Sequence, residues 1–428
     1  MASAGEFYVA PDGNDAAAGA IDSPFASLQR AQQAASPGDT VWIRGGQYTF
    51  SGTDRDIGVL FDKSGQQGSP IRYFAYEDET PVFDFYQLTP QARVRGFSVR
   101  ADHLHFRGLE LRGVQQILTN VNESWGIRVE NGADHNVFER LNLHHNEGPG
   151  LFIADGGYNL VLNSDSHHNY DPDRGGENAD GFGSHSNDPG NVFIGNRAWE
   201  NSDDGFDFIN SPGVVRLENS FAWRNGYVPD TDQRAGNGAG IKAGGFGLDP
   251  DRFPDDVPRH EIVGNVAFDN RAQGIYANHH PGGLDFLNNT AFDNGRNFDL
   301  LADVGAAEHF LRNNLAFGRG GTIHNATLDE INAAFNSWNL DVEVAPEDFA
   351  SLDKQLALLP RNADGSLSLG DFLRLVAGSD LIDAGTNVGR EFNGDAPDLG
   401  AFEAAAVPEP AAMGSLLLGA PLLLRRRR

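Results

Sequence analysis

The 428-residue chain contains no cysteine. Disulfides and thiolate metal sites are thereby excluded, so a bound metal would have to be held by oxygen or imidazole. Oxygen ligands favour calcium, magnesium or manganese. Lysine is nearly absent: among 32 basic residues the only lysines are Lys63, Lys242 and Lys354. A lysine in this chain is therefore less readily dismissed as incidental solubilising charge. Positive charge is scarce altogether, and the formal net charge is −28. Such acidity disfavours nucleic acids and anionic membrane surfaces as partners. If the substrate is itself anionic, a cation must stand between it and the protein. The first residues, 1–6, show no basic region followed by an apolar run, so no signal peptide is visible there. The apolar stretch 411–424 is shorter than the ~20 residues of a full membrane span.

Glycine, by contrast, is abundant, with 52 residues, and Asn, Asp and Gly recur together at regular places, as tight turns require. Seven segments share an Asn, a few residues including an apolar one, and usually a second Asn. They are Asn142 with Asn146, Asn163 with Asn169, Asn196 with Asn201, Asn219 with Asn225, Asn265 with Asn270, Asn289 with Asn294, and the degenerate Asn314 with Gly318. A second marker is a Gly followed by a large residue and one variable residue. Its glycines are Gly126, Gly150, Gly181, Gly205, Gly240 and Gly274, spaced 24, 31, 24, 35 and 34 residues apart. A unit near 24 residues suits one turn of a solenoid built from three short strands. Apolar pairs cut by Asn and Gly suit strands better than helices. The expectation is an all-β, right-handed parallel β-helix. The extra residues of the longer units fall at 170–178, 227–238 and 247–258, and insertions of this kind become loops on one face.

The ends look like caps. Ser23 and Pro24 offer an N-cap and a first-turn proline, with Phe25, Leu28 and Ala31 on one face of an N-terminal capping helix. Segments 349–359 and 372–381 read as short helices or irregular caps, and the core closes near Phe402. The organisation expected is a cap and first turn over 1–50, the β-helix with its C-terminal cap over 51–405, and a tail over 406–428.

Aligning the turns by the Gly marker brings distant residues together. Asp180 precedes Gly181 and Asp204 precedes Gly205, so the two should stack one rung apart, ~4.8 Å along the axis. Asp203 adjoins Asp204, and Asp207 lies in the same turn. One rung on, Lys242 takes the position equivalent to Asp207. Phe182, Phe206 and Ile241 should point inward, and Asp207 and Lys242 outward. Four carboxylates so close would repel and raise one another's pKa. Calcium, which accepts six to eight oxygens at ~2.3–2.6 Å, resolves the conflict better than magnesium. The bland alternative is that each Asp is a turn former. His144-His145 and His167-His168 read as a surface ladder, and Trp199, Trp223, Phe268 and Phe292 as a stack along the coil rather than a sugar platform.

The blocks Asn178-Ala179-Asp180-Gly181-Phe182, Asn201-Ser202-Asp203-Asp204-Gly205-Phe206-Asp207 and Gly240-Ile241-Lys242-Ala243-Gly244-Gly245 resemble the signatures of family-nine polysaccharide lyases, the pectate lyase group. Weaker similarity runs from Phe7-Tyr8-Val9 to Asp398-Leu399-Gly400. The resemblance implies a calcium-dependent pectate lyase that cleaves polygalacturonate by β-elimination. It implies Asp180, Asp203, Asp204 and Asp207 as Ca2+ ligands and Lys242 as the catalytic base. An unperturbed lysine titrates at ~10.4, so an alkaline optimum is expected. The family's usual aromatic before the lysine is here Ile241, which leaves the substrate subsite open. Arg174, Arg224 and Arg234 are candidates for substrate carboxylates. Rival readings are a polygalacturonase-type hydrolase, although its Gly-His-Gly block is absent, a non-catalytic polysaccharide-binding surface protein, and a lyase of rhamnogalacturonan or another uronate polymer. The tail, Val407-Pro408-Glu409-Pro410 followed by the apolar stretch and Arg425 to Arg428, resembles the PEP-CTERM sorting signals of Gram-negative bacteria. It implies a secreted or cell-surface protein touching a membrane only through that tail. The expected partner is an acidic polysaccharide, met by a monomer.

Overall fold

A strand of three residues buries one side chain, so it is stable only when identical strands stack above and below it. The computed structural model describes residues 4–118, 124–301 and 308–404, and stacking of this kind runs through nearly all of it. Strands such as Val137–Glu139, Leu160–Leu162 and Asp285–Leu287 bury only their middle residue. Pairing is parallel throughout the ladders, and the middle residues form an inward column from Phe106 through Phe138, Val161, Phe193, Leu217, Ile262 and Phe286 to Leu311. Three parallel sheets result, one of twelve strands and two of ten. The expected right-handed parallel β-helix is therefore the fold.

The corners explain the Asn repeat. From Asn142–His144 to Thr290–Phe292, each strand of one sheet is flanked by a two-residue bend. The first residue of the bend has a left-handed backbone, as at Asn163, Gly195, Asn219 and Asn288 before the strand and His145, His168, Glu200, Arg224 and Asp269 after it. The second carries an amide side chain that turns inward and bonds to the rungs on either side. Asn146, Asn169, Asn201, Asn225, Asn270 and Asn294 form one such ladder, each side-chain oxygen accepting the backbone amide of its predecessor. Asn265, Asn289, Asn314 and Asn336 form another. In two early turns Asn163 and Asn219 hold the left-handed position, and Ser164 and Ser220 take the ladder position instead.

The N-terminal helix is shorter than expected. It spans Leu28–Ala34 and is capped by Ser27, whose hydroxyl accepts the Arg30 amide. Ser23 and Phe25 form bridges to Ala20 and Val9 instead. Asp15 decides the start, because its carboxylate accepts the amides of Ala26 and Ser27 and fixes them outside the helix. Phe25, Leu28 and Ala31 are all buried.

The C-terminal segment does not close the end of the coil as expected. It runs back along the outer face of a sheet. Phe349 stacks on Phe317 at 4.9 Å, Lys354 pairs with Asp269 and Asp293, Arg197 donates to the carbonyls of Ala357 and Leu359, and Arg361 reaches Asp165. The chain then returns through Phe372, packed against Phe221 and Phe268, to Phe402 beside Phe221. The segment covers an aromatic stack of His144, His167, Trp199, Trp223, Phe268, Phe292 and Phe317. These rings are structural, as the sequence suggested. Within the described residues no helix is long and apolar enough to cross a membrane, and the sorting-type tail lies outside them.

Candidate active site

The sheet holding Phe182–Ser184, Phe206–Asp207 and Ile241–Lys242 carries the acids and the amine. Phe182, Phe206, Ile241 and Ile275 are in register and buried in the core, and their outward neighbours Gly183, Asp207, Lys242 and Tyr276 are likewise in register. Alternation along the strand thus aims Asp207 and Lys242 at the same outer groove. Asp180 and Asp204 arrive at the bend just before their strands. Asp180, Asp204 and Asp207 each offer a carboxylate oxygen within 4.8 Å of the others.

Backbone amides hold this trio in place. Asp180 accepts the Asp204 amide at 3.0 Å, Asp204 accepts the Ala239 amide at 2.6 Å, and Asp207 accepts the Ile209 amide at 2.8 Å. Lys242 Nζ lies 3.1 Å from Asp207 Oδ2 and forms an ion pair with Asp204 Oδ2. Asp204 Oδ2 is fully buried, facing that ammonium. Asp203 stands beside the trio but outside it. Its two oxygens accept the amides of Asn178 at 2.7 Å and Asn237 at 2.5 Å. Asp203 therefore ties together the two inserted loops, 170–178 and 227–238. Gly236 belongs to the same clamp: with φ at +46° it lies so close that a Cβ would meet the Ser202 carbonyl oxygen at 2.4 Å.

Burial dominates the electrostatics. It raises the Asp180 carboxyl well above the ordinary range, assisted by the neighbouring Asp203, Asp207 and Asp204. It raises Asp204 to about 7, against the pull of Lys242. For Lys242, burial works against the ammonium, yet the four carboxylates together outweigh it and hold the amine protonated well above its usual value. The constellation is thus short of positive charge. Three buried carboxylates gathered within 4.8 Å fit a hard divalent cation bound by oxygen.

Residues missed by sequence reasoning line the groove beside Lys242: Ile209, Asn237, Gln273, Tyr276 and Asn278. Tyr276 was within reach, since it holds the same marker position as Asp207 and Lys242. Of the three arginines considered, Arg224 is engaged by Glu200 and Asp232 at a corner of the coil. Arg234 is exposed in the second inserted loop, bridged to Tyr227, and Arg174 closes the short 3-10 helix Pro172–Arg174. None of these three is among the residues lining the groove beside Lys242.

The comparisons with known proteins identify a polysaccharide lyase of the β-helix class. Residues 7–314 match the family described as Pel9A-like, right-handed β-helix region, and the chain belongs to that family. It is 39% identical over 405 residues to pectate lyase L of Dickeya dadantii, covering 93% of this chain and 90% of that one. It is 36% identical to pectate lyase L of Paenibacillus polymyxa, over 90% and 85% of the two chains. The crystal structure of pectate lyase Pel9A superposes with a TM-score of 0.81 at 37% identity, covering 95% of this chain and 98% of that one. A rhamnogalacturonan lyase superposes with the same TM-score at 34% identity, covering 87% and 97%.

Proposed function

We propose that this enzyme is a secreted, calcium-dependent pectate lyase that cleaves polygalacturonate by β-elimination, with Lys242 as the general base. The observation that carries the proposal is the contact of one buried lysine with Asp204 and Asp207, two of three carboxylates gathered within 4.8 Å. Asp180, Asp204 and Asp207 would hold the ion, with Asp203 ordering the loops around it and offering further charge. When bound, calcium supplies charge neutralisation for the acids and for a uronate carboxylate, acidifying the proton on the carbon that bears it.

The remaining work falls to the chain. Lys242 lines the groove, and once its carboxylate neighbours are neutralised it can act as a neutral amine. It takes the C5 proton, the C4–oxygen bond breaks, a C4–C5 double bond forms, and the leaving oxygen takes up a proton. A buried base of this kind contributes about 10²–10⁴-fold. Tyr276, Gln273 and Asn278 line the groove and offer hydroxyl and amide groups to the sugar.

The test is digestion of polygalacturonate with and without chelator, followed by ultraviolet absorbance of the unsaturated product. Absorbance that appears only with divalent ion supports the proposal; saturated products would overturn it in favour of hydrolysis. The equal superposition of a rhamnogalacturonan lyase supports a second reading with the same chemistry on rhamnogalacturonan, and parallel digestion of both polymers separates the two.

A further inference from the structure

Elimination leaves one role unfilled: the departing oxygen must receive a proton. Of the residues lining the groove beside Lys242, only Asp204, Lys242 and Tyr276 carry a group that gives up or takes a proton. Asp204 belongs to the acid cluster and Lys242 to the C5 proton. The amides of Asn237, Gln273 and Asn278 do not titrate, and their NH2 groups are tied to Glu177, Asp299 and the Gly244 carbonyl. Tyr276 is the acid that remains.

Its place in the coil is fixed by register. Asp207 pairs with Lys242, and Lys242 with Tyr276, so acid, amine and phenol stand on successive rungs of one outward column, ~4.8 Å apart along the axis. The next rung holds Asp299, which is fully buried. Its oxygens accept from Arg296 at 2.7 Å, Asn325 at 2.7 Å and Gln273 at 3.4 Å, so it is satisfied without the phenol. Tyr276 is half-buried, and its hydroxyl makes no hydrogen bond within the described residues. Burial, aided by the charge of Asp299, holds that hydroxyl protonated above its usual range. A group that keeps its proton in alkali suits a reaction whose base is a lysine.

We propose that Tyr276 is the general acid of the reaction, handing its hydroxyl proton to the oxygen that leaves C4. The proposal rests on the lyase reading. Along the column the order is carboxylates, amine, phenol; along the uronate it is C6 carboxylate, C5 hydrogen, C4 oxygen. A sugar whose C5 proton meets Lys242, with its carboxylate towards Asp207, turns its C4 oxygen towards Tyr276. As the C5–H electron pair becomes the C4–C5 double bond, the C4–oxygen pair departs on the oxygen. That oxygen takes the Tyr276 proton and ends the released chain as a hydroxyl. Lys242 is then an ammonium and Tyr276 a phenolate on adjacent rungs. Their ordinary pKa values are ~10.4 and ~10, so the proton passes back to the phenolate at little cost. Both groups are restored without any further reactant.

The experiment compares wild type and Tyr276→Phe on polygalacturonate and on a galacturonate whose C4 carries 4-nitrophenoxide, a group that departs without a proton. On the polymer kcat should fall by about 10²-fold, the lower weight of a positioned acid. On the aryl substrate the rate should stay within about threefold, because protonation no longer limits departure. A tyrosine that served only the structure would slow both alike. Calorimetric binding of trigalacturonate to the Lys242→Ala protein, with and without Tyr276→Phe, should give the same affinity, which separates proton transfer from grip on the sugar. Equal losses on the two substrates, an unchanged kcat on the polymer, or a fall in affinity as large as the fall in rate would overturn the assignment. Failure of the wild type to release unsaturated product from any pectic polymer would instead overturn the lyase reading.

Discussion

Lys242 is one of three lysines, and it is the one that a single spacing argument places against the acids. Its replacement by alanine should lower kcat by about 10³-fold, the usual weight of a positioned base, and should lower the melting temperature of the calcium-free protein, since the buried carboxylates lose the ammonium that offsets them. Asp180→Asn and Asp204→Asn should each weaken calcium binding, read by calorimetry, and leave activity recoverable at high calcium. Asp203→Asn should behave differently. Asp203 anchors backbone amides on both loops, so its loss should increase proteolytic cleavage within 227–238 before it alters metal affinity. The marker alignment placed Asp180, Asp204, Asp207 and Lys242 together because all four are tied to the period of the coil. Tyr276 follows the period as well as Lys242 does; it was overlooked because an aromatic on a strand carries no chemistry by itself.

A strand here is three residues long and gains its stability from columns that cross it. The asparagine ladders are the least redundant of these. Asn225 accepts the amide and side chain of Asn201 and donates to the Ala198 carbonyl and to Asn270, all fully buried. Asn225→Ala would strand several buried polar groups at once and should cost about 3 kcal/mol or more, read as a lower urea midpoint. Trp223→Ala, in the middle of the aromatic stack, should cost a similar ~3–5 kcal/mol. The paired asparagines were visible in the sequence, but their register was not fully so: in two turns a serine takes the inward place and the asparagine bends the chain. The helix start was misplaced for a comparable reason. Ser23-Pro24 is a plausible opening, and only the distant Asp15 makes Ser27 the cap.

At the scale of the molecule, three histidines set an acid limit. His260 and His309 each accept a backbone amide on Nδ1, from Val215 and Leu284, and His280 accepts the Gly245 amide. Burial lowers His260 to about 3 and His280 and His309 to about 4, from 6.5. The unfolded chain takes up these protons first, so the stability they permit is intact above pH 6.5 and is lost as pH falls towards 4. The raised carboxyls of Asp180 and Asp204 work in the opposite sense. The comparison is therefore between wild type and His260→Asn: urea midpoints at pH 7 and pH 4.5 should differ less in the variant. What no periodicity could disclose is the returning C-terminal segment, whose contacts such as Arg361 with Asp165 join residues 196 positions apart.

That returning strap alters how the coil comes into being. It lies across six consecutive rungs, from Asp165–His167 to Leu315–Phe317, and the three rungs that bear the acids and the amine are among them. A solenoid can in general add one turn after another as it leaves the ribosome. Here those turns are buckled from behind only by residues synthesised more than a hundred positions later. A nascent chain halted near residue 340 would already own every reactive group, yet its turns would breathe, and the finished grip would come with the clasp.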